Sequence, residues 1–158
     1  MSVVNEHEYW MHQCLALGRL ALEKGNPPVG SLLVASGKLI STAAEEARSS
    51  GDVTDHAEMI VLRKALHVLN SPSREELILY STHEPCVLCA YAIRHYRIET
   101  VVFGCRVPYI GGYSSKYNLL SEADHPAWGK PPIIIEGILA AECNALTIEY
   151  SKEKKNRG

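Results

Sequence analysis

Two short segments hold the residue types that can bind a metal ion and move protons: His56-Ala57-Glu58 and Pro85-Cys86-Val87-Leu88-Cys89. Each is expected to open a helix. Cysteines three residues apart lie on one helical face, so both sulfurs can reach one ion. A helix N-terminus also favours the thiolate, the form that ligates zinc. With the His56 imidazole they make three soft-to-borderline ligands and leave a fourth tetrahedral position for water, as in a catalytic zinc centre. Glu58 is too near His56 in sequence to serve as a comfortable fourth ligand, but it is well placed to exchange protons with that water. Zinc brings the water's pKa to about 7, and a carboxylate beside it can take a proton and pass it on. Two thiolates and an imidazole favour zinc over iron. The bland alternatives are a core histidine with two buried thiols, or a structural zinc site, for which no fourth ligand of matching spacing is visible.

The elements that must bring these segments together follow from hydropathy patterning. Apolar residues recur at helical spacing from Glu6 to Lys24, and Gly25-Asn26-Pro27-Pro28 ends that helix. Gly30–Ala35 and Lys38–Thr42 flank Ser36-Gly37, a hairpin signal. A polar stretch, Glu45–Asp55, leads into a helix over His56–Leu69. Leu77–Thr82 reads as a buried strand, and Pro85 suits the first turn of a helix running to about Tyr96. Thr100–Gly104 is another strand. Arg106–Pro132 is irregular, with a short helical turn expected around Lys116–Leu120. Ile133–Ile135 and Ala140–Tyr150 supply a last strand and a last helix. Strands alternating with helices predict one α/β sheet covered on both faces.

The chain has 158 residues, 46% of them hydrophobic and 22% charged, which allows one domain over 1–158 with a sizeable core. Sixteen Lys+Arg against 18 Asp+Glu give a net charge of -2, unlike a dedicated nucleic-acid binder, although a neutral total leaves room for a local basic patch. Charge concentrates only in residues 151–158, read as a frayed, solvated tail. No apolar run approaches the roughly 18 residues of a membrane span, and the polar start is unlike a signal peptide, so a cytoplasmic chain is expected. Five cysteines, an odd number, fit a reducing compartment rather than a disulfide framework.

In this order, H-x-E and P-C-x-x-C form the signature of the zinc-dependent nucleobase deaminases, and the chain resembles that superfamily over nearly its whole length. HEYWM, NPPVGSLLV, DHAEM, THEPCVLCAYAI, VVFGCR and EGILAAEC are similar, in order, to segments of bacterial tRNA adenosine deaminases. The stretch from Cys105 through Gly111-Gly112 to Ser121-Glu122-Ala123-Asp124 also resembles the catalytic subunit of their eukaryotic counterpart, and guanine deaminases are close in look. The resemblance implies a three-layer α/β/α sandwich with a five-stranded mixed sheet (cytidine deaminase-like), usually a homodimer. It implies one Zn2+ per subunit on His56, Cys86 and Cys89. Glu58 then acts as proton shuttle in a hydrolytic deamination: a zinc-activated water adds to the amine-bearing ring carbon, Glu58 protonates the ring nitrogen and then the amine, and ammonia leaves. Backbone groups at Ala57 and around Glu84, Pro85 and Cys86 would line the reacting edge of the base. The rival from another class is a non-catalytic, zinc-stabilised partner subunit, which typically lacks the glutamate that Glu58 represents.

Two positions depart from the relatives. Glu45 stands where tRNA adenosine and guanine deaminases usually have an asparagine that contacts the base. An amide donates and accepts, whereas an ionised carboxylate only accepts, so Glu45 prefers a substrate edge carrying N–H donors. A mismatch there costs about 1–3 kcal/mol. Alternatively Glu45 points to solvent and Glu46 fills in. Val107 stands where the bacterial tRNA enzymes begin their anticodon-contacting stretch with aspartate. The Tyr109, Tyr113 and Tyr117 that follow suit a dimer contact, a lid, or a stacking platform. Both departures favour a free nucleobase or nucleoside substrate, with the wobble adenosine of a tRNA anticodon loop as the alternative. Among the remaining residues, Cys14, Cys105 and Cys143 read as buried, His83 as a surface or supporting residue with an edge into the pocket as the alternative, and His95 as a helix-end residue. Trp10 and Trp128 read as packing. The cations Arg94, Arg97, Arg106, Lys116 and Lys130 read as solvated surface.

Overall fold

The computed structural model describes residues 2–123 and 125–157, the Val4 side chain excepted; Asp124, quoted above, lies outside the described residues. Helix α1 (Val3–Glu23) starts where the Ser2 side chain accepts the Asn5 N–H at 3.3 Å. Ser36 and Gly37 both take positive φ, 48° and 77°, the backbone of a two-residue hairpin turn that matches strand twist. They fold β1 (Gly30–Ala35) back on β2 (Lys38–Ala44). A short α2 (Ala47–Ser50), α3 (Ala57–Lys64) and α4 (Leu66–Leu69) lead to β3 (Leu77–His83), then α5 (Val87–His95), β4 (Thr100–Cys105), β5 (Ile133–Glu136) and α6 (Ala140–Arg157).

The sheet order is β2-β1-β3-β4-β5, with β1 antiparallel to both neighbours and β3, β4 and β5 parallel: the expected five-stranded mixed sheet. β1 is buried along its whole length, as a strand covered on both faces must be. On one face Trp10, Met11, Cys14 and Cys143 of α1 and α6 pack on Leu32, Val34, Tyr80 and Val102. On the other, Val61, Leu62, Ala90 and Ile93 of α3 and α5 pack on Leu33, Leu79, Val101 and Phe103. Neighbouring strand residues therefore serve opposite layers, the period-2 signature of a strand in a three-layer α/β/α arrangement. No helix among the described residues is long and apolar enough to cross a membrane.

Several boundaries differ from expectation for local reasons. The helix expected over His56–Leu69 is two, because the Ala65 amide bonds back three residues to the Leu62 carbonyl (3.1 Å). α5 begins at Val87, since Cys86 is extended (φ −73°, ψ 175°) and caps it. Lys116–Leu120 forms turns instead of a helix; the Ser115 hydroxyl accepts the Tyr117 N–H at 3.0 Å and so competes with helical bonding. Residues 151–157, expected as a frayed tail, are the last turns of α6. Lys, Glu and Arg propagate helix well, basic residues suit a helix C-terminus, and Arg19 ties α6 to α1 through Glu149 at 2.7 Å.

Candidate active site and metal centre

His56 caps α3 and Cys86 caps α5, both in extended backbone, and Cys89 lies in the first turn of α5. The two helix starts converge so that Cys86 Sγ lies 3.3 Å and Cys89 Sγ 3.5 Å from His56 Nδ1, with the sulfurs 3.8 Å apart. Zinc bonds of about 2.3 Å to sulfur and 2.0–2.1 Å to nitrogen give tetrahedral edges of about 3.8 Å (S–S) and 3.6 Å (S–N). The three donors thus already outline one face of a zinc tetrahedron, and among the described residues they are the group of metal-ligating side chains so placed. The charges fit as well. The neighbouring Cys89 thiol and the His56 ring hold Cys86 down to about 4, and the hydrogen bond to Cys86 raises His56 to about 9. The Cys86 interaction and burial push Cys89 up. Metal binding therefore releases protons from this cluster.

Glu58, in the first turn of α3, is buried beside the triad. Its Oε1 accepts the Ser81 hydroxyl at 2.8 Å, and its Oε2 lies 3.6 Å from Cys89 Sγ. Burial, aided by the Cys86 charge, raises its pKa above the usual carboxylate range.

A cavity of about 510 Å³ opens over these groups, within the range of small-molecule sites. Glu45 lines it and is buried, not turned to solvent: its Oε1 accepts the Ala57 N–H at 3.0 Å. Burial and the nearby Glu58 push Glu45 up to about 7. When protonated it donates as well as accepts, as an amide does. Glu84 also lines the cavity, with both carboxylate oxygens bonded to the loop after β4. Ala57 and Pro85 do not line the cavity; the Ala57 N–H is taken by Glu45, and the Pro85 carbonyl accepts the Gly112 N–H at 2.8 Å.

His83, read from sequence as a surface or supporting residue, is buried and lines the cavity, shared between Thr82 Oγ1 (2.8 Å) and Thr147 Oγ1 (2.6 Å). Burial lowers its pKa to about 4, which keeps the ring neutral. Arg106 sits at the rim, paired with both Glu136 oxygens at 2.8 and 3.1 Å. Sequence reasoning missed Asn144, Thr147 and Tyr150, which α6 turns into the cavity. Their i, i+3, i+6 spacing was the available signal, running beside the buried Cys143 and Leu146 on the same side of α6. The tyrosines divide: Tyr113 packs on Phe103 in the core cluster, while Tyr109 and Tyr117 are exposed. Trp128 lies on the outer side of α5 against Tyr91 and Arg94.

Residues 4–105 match the family model described as the cytidine and deoxycytidylate deaminase zinc-binding region. A tRNA-specific adenosine deaminase of Aquifex aeolicus (strain VF5) is 39% identical over 115 residues, covering 73% of this chain and 76% of the relative. A tRNA-specific adenosine deaminase 2 of Xenopus laevis is 31% identical over 160 residues, covering 98% and 91%. A solved structure from a study of A-to-I editing by tRNA:A34 deaminases at the wobble position superposes with a TM-score of 0.78. It is 31% identical, over 87% of this chain and 98% of that one. With the metal triad, the buried Glu58 and this similarity in hand, the chain belongs to the cytidine and deoxycytidylate deaminase zinc-binding family and is a zinc-dependent hydrolase.

Proposed function

We propose that the protein deaminates adenosine to inosine in a tRNA anticodon loop, consuming water and releasing ammonia. The observation that carries this reading is a similarity to tRNA-specific adenosine deaminases that runs through α6 as well as the metal-binding segments. The helical course of residues 151–157 supports it. Thr147, Tyr150, Lys154 and Arg157 fall on one stripe of α6, so the face that enters the cavity continues outward as cations suited to a phosphate backbone. The same resemblance leads to a homodimer with one zinc ion per subunit.

When bound, zinc supplies a Lewis acid that brings a water's pKa to about 7. The chain's own groups do the rest. Ser81 fixes Glu58 Oε1, which leaves Oε2 to take a proton beside the metal ligands. Glu58 hands it to the ring nitrogen next to the amine-bearing carbon and then delivers a proton to the departing amine. Glu45, fixed by the Ala57 amide, orients the base, and Pro27, Pro28, Val107 and Ile110 keep water from it.

A free nucleobase or nucleoside is the second reading, favoured by Glu45: as a carboxylate it offers only acceptors where an amide would offer both. The test incubates zinc-loaded protein with an arginine-tRNA anticodon stem-loop and, separately, with guanine, adenine, cytosine, isocytosine and their nucleosides. Inosine in the stem-loop alone is the expected result. Ammonia from one free base or nucleoside alone overturns the tRNA reading and makes Glu45→Asn the variant that should shift specificity.

A further inference from the structure

Glu84 is 2% exposed, and among the described residues its carboxylate makes no ion pair; three backbone amides and the Ser114 hydroxyl hold it. Oε1 accepts the Val107 N–H (3.0 Å) and the Ser114 hydroxyl (2.6 Å), while Oε2 accepts the N–H groups of Tyr113 (2.8 Å) and Ser114 (2.7 Å). Converging backbone donors of this kind make an anion nest, and here the chain supplies the anion. The fit leaves no space for a side chain: a Cβ at Gly111 would strike the carboxylate, and one at Gly112 would lie 2.6 Å from Ala90 Cβ. The loop is also stitched to the turn that carries Cys86. Val87 N–H donates to the Ile110 carbonyl (3.0 Å), and Gly112 N–H to the Pro85 carbonyl (2.8 Å).

Between these anchored flanks Tyr109 sits at φ 70°, the centre of a three-residue turn closed by Ile110 N–H on the Pro108 carbonyl (2.9 Å). Such a backbone is strained for a non-glycine residue and persists only where its surroundings over-determine it. The same turn brings Val107, Pro108 and Ile110 to the cavity wall.

We propose that Glu84 is a positioning residue: its carboxylate clamps the 106–114 loop onto the metal-bearing turn and so sets the wall that grips the substrate. The inference deepens the proposed deamination and rests on it for its effect on turnover.

Glu84→Gln keeps the size of the side chain but removes its charge and one acceptor oxygen. Amide exchange at Val107, Tyr113 and Ser114 should quicken about 10-fold, and KM should rise about 10-fold. The kcat should stay within about 3-fold, and one zinc per chain should be retained. Ser114→Ala removes only the hydroxyl and should move exchange and KM the same way by about 3-fold; it provides the measurement should Glu84→Gln not fold. A raised KM without faster exchange would mean direct substrate contact and overturns the clamp. Faster exchange with unchanged KM overturns its link to the substrate, and loss of zinc would reassign Glu84 to the metal centre. An inactive wild type defeats the deamination reading itself, whereas the exchange rates support or overturn the clamp independently.

Discussion

At Glu58 one carboxylate oxygen is fixed by the Ser81 hydroxyl while the other lies 3.6 Å from Cys89 Sγ, and burial raises the group's pKa above the usual carboxylate range. Removing that proton capacity without changing shape isolates it. Glu58→Gln should fold and bind one zinc per chain yet lose about 10²–10⁴-fold in ammonia release; a variant that kept a tenth of its activity would remove Glu58 from the mechanism. His56, Glu58, Cys86 and Cys89 were legible in the chain because each must offer one particular atom, and few residue types offer it. Glu45 was legible as a departure, but its direction was not. Only the 3.0 Å bond from the Ala57 amide places its carboxyl against the cavity.

Elements depend on residues whose sequence signal points elsewhere. Arg94 reads as one surface cation among several, yet it is 1% exposed at the end of α5. Its guanidinium donates to the carbonyls of Leu119 (2.6 Å), Glu122 (3.0 Å), Ala123 (3.4 Å) and Gly129 (3.0 Å). It thereby organises the long irregular segment between β4 and β5, whose described residues form no helix or strand to satisfy the backbone. Arg94→Met should leave several carbonyls unpaired at about 1–3 kcal/mol each and lower stability by roughly 3–5 kcal/mol in urea unfolding. A loss under about 1 kcal/mol would show that the segment holds itself. The helical turn expected at Lys116–Leu120 failed for the same kind of reason: a serine hydroxyl took a backbone amide that a helix would have used.

For the whole molecule, a metal held by His56, Cys86 and Cys89 would join the starts of α3 and α5 on one side of the sheet. A ligand that binds only the folded state at a thousandfold excess over its Kd stabilises by about 4 kcal/mol. Stripping zinc with a chelator should therefore lower Tm by roughly 8–16 °C, as calorimetry can check, and re-addition should restore it; an unchanged Tm would mean that the folded chain gains nothing from the metal. By itself the sequence determined the chemistry, the alternation of strands and helices and the two apolar faces of each central strand. These follow from atom types and from periods of 2 and 3.6 residues, which are local. Tertiary structure alone decided what lies across the cavity from the metal: the α6 stripe of Asn144, Thr147 and Tyr150, the His83–Thr147 link, and the loop closed on Glu84. Those contacts join positions 23 to 64 residues apart in the chain, as from Glu84 to Val107 and from His83 to Thr147. No local pattern encodes such pairs, because their partners are chosen by how helices and loops pack once the sheet has formed.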